Sequence, residues 1–221
     1  MIVQIYGILT PEDATMVASL GADHIGVVVG DRGRTPDEVD FATARAIFAA
    51  VPASTVKVAL TVATDLDEIE GMARAVRPDI LHLSSGLDAP DPDAMKILRA
   101  RLPGLLLMRA IPVSGPETID AALLFQETSD YLLLDTKDPG RAVIGATGQT
   151  HDWTISRQIV EQVHVPVILA GGLSPENVAE AIRAVRPWGV DSLTHTNRPG
   201  QPIRKDPERV RRFIEAARRA A

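Results

Sequence analysis

Residues 166–185 read PVILAGGLSPENVAEAIRAV, and this stretch decides the fold. It opens on an apolar run, turns at Gly171-Gly172 and enters a helix through Ser174-Pro175-Glu176-Asn177. A small polar residue, a proline in the first turn and an acid beside the positive end of the helix dipole form a helix start signal. The apolar positions of 178–185 keep the spacing of one helix face. The stretch is one strand–loop–helix unit, with glycines where the chain leaves the strand.

Working outward, the unit recurs along the chain. Apolar, β-branched runs at 2–6, 24–29, 55–62, 80–83, 105–109, 131–135, 166–170 and 189–193 predict eight strands. The segments between them carry the same start grammar. Thr10-Pro11-Glu12-Asp13 precedes the first helix, Asp65 caps a helix over 66–76, and Asp206-Pro207-Glu208 opens the last one. Near-continuous apolar strands separated by helices imply a parallel sheet covered on both faces. Eight such units in 221 residues predict a closed (β/α)8 TIM barrel, a single domain over 1–221. An open doubly wound sheet is the alternative, but no G-x-G-x-x-G follows the first strand. Two connections, 30–40 and 136–152, are longer than packing requires; in a barrel they lie on the catalytic face.

Composition narrows the chemistry. Hydrophobic residues make up 45% and aromatics only 4%, so the core must be aliphatic. The formal charge is −6, with basic residues spread out except near the C-terminus, which gives no footprint for nucleic acid. The cluster Arg209, Arg211, Arg212, Arg218 and Arg219 reads as a solvated face of the last helix. Without cysteine there are no disulfides, thiolate metal sites or cysteine nucleophiles. No leader pattern opens the sequence and no apolar run approaches a membrane span, so a cytoplasmic protein without membrane partners is expected.

Phosphate chemistry comes first among the candidate sites. Gly171 and Gly172 let the backbone approach an anion ahead of a helix N-terminus, on a loop that carries phosphate in many barrels of this type. Gly145-Ala146-Thr147-Gly148 is a second, weaker anion-capable segment. Asp135 ends an apolar strand and points into the barrel mouth, where desolvation would raise its pKa toward general acid or base work. A helix cap or an ion pair with Lys137 is its plainer role. Arg109 closes strand 5 and is either a substrate clamp or an internal ion-pair partner. Asp191, within strand 8, is either a structural carboxylate or a site residue. His82 on strand 4 and His195 past strand 8 are candidate proton carriers. Together with Asp135 and Asp191 they have no spacing that requires a metal, and neither metal nor cofactor is expected.

These residues resemble the phosphoribosylanthranilate isomerase family of tryptophan biosynthesis, in order along almost the whole chain. The family's K-I-C-G-I-T, E-D-A and G-A-D look like Gln4-Ile5-Tyr6-Gly7-Ile8-Leu9, Glu12-Asp13-Ala14 and Gly21-Ala22-Asp23. Its L-L-D, G-G-T-G and D-W are similar to Leu133-Leu134-Asp135, Gly145 to Gly148, and Asp152-Trp153. Its G-G-L-x-P-E-N-V is matched in register from Gly171 to Val178, and its ending resembles Val190-Asp191 through Asn197, Pro199-Gly200 and Lys205-Asp206.

The resemblance implies a TIM barrel that converts an aminoaldose phosphate into an aminoketose phosphate, an Amadori rearrangement. A general acid opens the ribose ring and a base removes the C2 proton. It places the acid on Asp135, the phosphate on Gly148, Gly171, Gly172, Thr194 and His195, and the anthranilate carboxylate on Arg34. The base falls on the position of Tyr6, whose phenol needs a shift of about three units, roughly 4 kcal/mol, to be half ionised at neutral pH. His82 and Asp191 are the other candidates for that step. The family's first-strand lysine is Gln4, the histidine of its Q-L-H-G is Ser84, and the glycine and glutamate of its S-S-G-V-E are His195 and Asn197.

The expectation is an isomerase acting on phosphoribosylanthranilate or a related sugar phosphate, as a monomer or homodimer. The alternatives are an epimerase, lyase or aldolase on another phosphorylated sugar, or a non-catalytic phosphometabolite binder. A Schiff-base aldolase would need Lys57 or Lys137.

Overall fold

Eight parallel strands close into a barrel. They are β1 (Ile2–Ile5), β2 (His24–Val29), β3 (Val56–Thr61), β4 (Ile80–Leu83), β5 (Leu106–Val113), β6 (Tyr131–Thr136), β7 (Val167–Leu169) and β8 (Gly189–Ser192). Each pairs with the next, and β1 pairs with both β2 and β8, so no edge is left open. The computed structural model describes residues 1–136, 150–200 and 203–221. Gly148 and Lys137 lie outside the described residues.

The helices are α1 (Pro11–Ser19), α2 (Phe41–Ala49), α3 (Leu66–Val76), α4 (Pro92–Arg101), α5 (Glu117–Phe125), α6 (Trp153–Gln162), α7 (Val178–Val185) and α8 (Pro207–Ala220). Capping fixes their entries where the sequence placed it. Thr10 accepts from the Asp13 N–H, Asp65 from Glu68, and Asp206 from Glu208 and Arg209. α7 differs in detail: Asn177 is its N-cap, while Ser174 Oγ accepts from the Glu176 N–H one turn earlier.

Alternation along the strands sorts side chains into two cores. Val3, Ile25, Ala59, Leu81, Leu107, Leu132, Leu169 and Val190 face out and pack beneath the helices. Tyr6, Val58, Ile80, Met108, Leu133 and Ile168 face in and fill the barrel. This is a packed interior rather than a channel, which leaves chemistry to the C-terminal rim.

Two strand features depart from the sequence reading. β5 runs on to Val113 through Pro112. Glu38–Val39, inside the long connection after β2, adds a short strand beside Val28 and Val29. There the Glu38 carboxylate accepts from the N–H groups of Arg32, Gly33 and Arg34 and gathers the loop around itself. Four of the arginines of α8 form exposed ion pairs, among them Arg212 with Glu176 and Arg218 with Asp23, while Arg209 donates to the His195 carbonyl. That is the solvated face expected, each pair worth about 1 kcal/mol at most. No helix among the described residues is long and apolar enough to cross a membrane.

Candidate active site

One cavity at the C-terminal ends of β6, β7 and β8 is lined by Asp135, the Gly171–Leu173 turn, Asp191, and the chain from Ser192 to His195.

The glycine loop is built for backbone exposure. Gly171 and Gly172 both have positive φ, 83° and 60°, the region that suits a residue without a β-carbon. A β-carbon on Gly171 would also lie 2.6 Å from Thr136 Oγ1 and 2.7 Å from His151 Nδ1. Asn177 holds the turn from below: its amide donates to the Gly172 carbonyl, and its side-chain oxygen accepts from the Ser174 N–H. Ser192 Oγ donates to the Leu173 carbonyl and ties the turn to β8. Beyond β8, Thr194 and His195 lie in a short 3-10 turn.

Lys205 anchors that turn. It is fully buried, and its Nζ donates to the Leu193 carbonyl, Thr196 Oγ1 and Asn197 Oδ1. Burial lowers its pKa to about 7, with Asp191 among the charges acting against that shift.

The two carboxyl groups are the titrating centre. Burial raises Asp135 to about 7, although its Oδ1 accepts from the Thr136 N–H. Asp191 is raised to about 8, by burial and then by the charge of Asp135. Such a pair titrates as a unit, the charge on one carboxyl holding the other protonated to higher pH. Asp191 Oδ1 accepts from Gln4 Nε2 at 3.2 Å. Because that amide nitrogen faces the carboxylate, the Gln4 oxygen can only accept. His24 therefore carries its proton on Nδ1, 3.1 Å away, and burial keeps its ring neutral.

Tyr6 is not part of this cavity. It is 3% exposed and packs in the barrel interior, with its ring against Gly26 and its hydroxyl 2.7 Å from His82 Nδ1. Burial, then the charge of Asp191, pushes the phenol well above its ordinary pKa. Burial and the charge of Arg109 lower His82 to about 3, so both partners are neutral. Of the three residues that the sequence offered as a base, only Asp191 reaches the cavity.

The arginines are engaged elsewhere. Arg109, fully buried, donates to the carbonyls of Leu83, Ser85 and Gly86 and lies over the Phe125 ring. It holds the segment after β4 rather than facing the cavity. Arg34 forms a two-point pair with Glu68. Lys57, one of the two aldolase candidates, shares the strand parity of Ala59, which faces the helices, and sits near the opposite end of its strand.

His151 escaped the sequence reading. Its Nε2 lies 2.7 Å from Ser156 Oγ and its Nδ1 3.3 Å from Thr136 Oγ1, so it braces the glycine loop from behind. The only signal was its place just past the glycine segment, one residue before the Asp152 cap.

A family model for N-(5'-phosphoribosyl)anthranilate (PRA) isomerase matches residues 3–216. N-(5'-phosphoribosyl)anthranilate isomerase 2 of Methanosarcina mazei is 40% identical over 87% of this chain and 84% of its own. The isomerase of Methanocella arvoryzae is 38% identical over 98% and 97%. Among solved structures, phosphoribosyl anthranilate isomerase from Thermotoga maritima superposes with a TM-score of 0.83 at 28% identity, covering 99% of both chains. A phosphoribosyl anthranilate isomerase solved with reduced 1-(o-carboxyphenylamino)-1-deoxyribulose 5-phosphate gives 0.80 at 27%, again over 99% of both.

Proposed function

The chain belongs to the N-(5'-phosphoribosyl)anthranilate isomerase family, and from that premise we propose that it isomerises phosphoribosylanthranilate to the corresponding aminoketose phosphate. It is an aldose–ketose isomerase of tryptophan biosynthesis. The observation that carries the reading is the cavity that Asp135 and the strand-7 glycine loop line together.

The substrate's parts find partners around that cavity. No lysine or arginine lines it among the described residues, so the phosphate is held by backbone N–H groups of Gly171, Gly172, Thr194 and His195. Asp135, held protonated part of the time at neutral pH, gives its proton to the ribose ring oxygen and opens the ring. Arg34 takes the anthranilate carboxylate, exchanging its pairing with Glu68 for the substrate. Arg109 acts on the protein itself by fixing the segment from Leu83 to Gly86.

We place the enzyme in the cytoplasm, as a monomer or homodimer. A related isomerase from Thermotoga maritima is described as dimeric.

Turnover is read by the loss of anthranilate fluorescence from freshly made substrate. The wild type is expected to consume it, and Asp135→Asn to lose at least a hundredfold in kcat. Equal rates in the two proteins would remove Asp135 from the reaction.

A further inference from the structure

Ring opening needs a proton delivered to the ring oxygen and the rearrangement needs one taken from C2, and Asp135 accounts for the first. The second needs a base with a free lone pair inside the cavity. Tyr6 and His82 are hydrogen-bonded to each other within the barrel interior. His151 has both ring nitrogens engaged behind the glycine loop. Lys205 is enclosed by three acceptors. Asp191 lines the cavity with Asp135. Its one hydrogen bond among the described residues runs from Gln4 to Oδ1, and this leaves Oδ2 free.

We infer that Asp191 is the general base of the reaction, paired across the cavity with Asp135 as the acid. The inference rests on the isomerase reading above.

The steps balance with one shared proton. Asp135 protonates the ring oxygen, the bond from C1 to that oxygen breaks with its electrons going to oxygen, and the nitrogen lone pair forms C1=N. The C2–H bond then breaks. Its proton goes to Asp191 Oδ2, its electrons form C1=C2, and the iminium pair returns to nitrogen. The C2 enol hydroxyl loses its proton, C1 gains one, and the ketone results. Two protons enter the substrate and two leave it. The pair's own proton has moved from Asp135 to Asp191 and returns through exchange with water.

Gln4 is the positioning residue for this base. A neutral amide orients the carboxylate without the Coulombic stabilisation that a cation in its place would add, so the basicity given by burial is kept. The other charged or titratable groups acting on Asp191 are Asp135 from β6, Lys205 from the loop before α8, and the Tyr6 phenol from the end of β1.

The test compares wild type, Asp191→Asn, Asp191→Glu and Gln4→Lys, all in the full chain. Asp191→Asn is expected to lose at least a thousandfold in kcat with KM within threefold, and Asp191→Glu to recover part of the loss. Wild type is expected to show a primary isotope effect with substrate deuterated at C2. Gln4→Lys is expected to move the ascending limb of kcat against pH to lower pH by at least one unit. Asp191→Asn within tenfold of wild type, a loss confined to KM, or an unmoved limb in Gln4→Lys would each overturn the assignment. A folded wild type without turnover overturns the isomerase reading and this inference with it. That case is distinct, because only there is the wild type itself silent.

Discussion

The ring of Tyr6 rests on the α-carbon of Gly26: a β-carbon built there would stand 2.2 Å from Tyr6 Cδ1 and 2.4 Å from Cε1. Two strands thus accommodate one phenol inside the barrel, and Gly26 is the residue that admits it. Gly26→Ala is expected to cost about 2 kcal/mol or more, because a close-packed interior has no room to shift the ring. In a double-mutant cycle with Tyr6→Leu the two costs should not add, since the smaller side chain vacates the collision. Urea unfolding measures both. Additive costs would show that the contact is not what sets the stability.

Tyr6→Phe separates structure from chemistry at the same position. It deletes the hydroxyl that meets His82 Nδ1 and leaves His82 with neither ring nitrogen partnered, since Nε2 is already without one. A loss of about 1–3 kcal/mol in stability follows. Turnover at a temperature where the variant is folded should stay within a fewfold of wild type. Abolished turnover would return the phenol to the catalytic machinery.

Stability depends on pH through buried groups that act with opposite signs. Asp135 and Asp191 have folded pKa values raised to about 7 and about 8, so above the ordinary carboxylate range the native state binds more protons than the unfolded chain. Their contribution is lost as pH rises through those values. His24, His82 and His151 are lowered to about 4, 3 and 4, so their contribution is present above the unfolded value near 6.5 and lost as pH falls through the folded ones. Lys205, lowered to about 7 by burial, acts in the opposite sense to the carboxyls above neutral pH, its contribution growing as pH rises toward the ordinary lysine value. Unfolding at pH 7 and 9, wild type beside Asp135→Asn, isolates the carboxyl share, a few kcal/mol at most, which the variant should remove. An unchanged alkaline slope in that variant would mean that the carboxyl pair does not titrate as described.

Lys205 links stability to the turn beside the cavity. Lys205→Met removes the donor shared by the Leu193 carbonyl, Thr196 and Asn197, three groups on the turn that carries Thr194 and His195. The Leu193 carbonyl keeps the Thr196 hydroxyl as a donor, so the loss expected is that of a buried donor and its charge-assisted bonds, about 1–3 kcal/mol. KM should rise more than kcat falls, because the turn lines the cavity in which we place the phosphate. A lower kcat with unchanged KM would detach this turn from substrate binding.

The barrel was legible because apolar strands and capped helices are local patterns. Most strand ends agree with the observed ones within a residue. β5 is the exception: Pro112, which cannot donate to a ladder, hid its continuation to Val113. That error had a consequence at the site. Arg109 read as a strand-end residue facing substrate, whereas it lies mid-strand with its guanidinium on the carbonyls of Leu83, Ser85 and Gly86. Asp135 was legible because it ends an apolar run at the C-terminal end of its strand, on the parity of the inward-facing Leu133. The partnerships of Gln4 with Asp191 and of Tyr6 with His82 join residues 187 and 76 positions apart, and no local pattern records them. The sequence showed that the first-strand position had changed to a tyrosine. Its turn into the barrel, away from the cavity, depends on the space left at Gly26.

The most direct test of the isomerase reading follows a carbon-13 label at C2 of the ribose in phosphoribosylanthranilate, with purified wild-type protein and nuclear magnetic resonance detection. The account predicts that the label moves from an alcohol to a ketone resonance while the product keeps the mass of the substrate. Label found only as an alcohol carbon in ribose phosphate released beside free anthranilate, at the rate seen without protein, would contradict it.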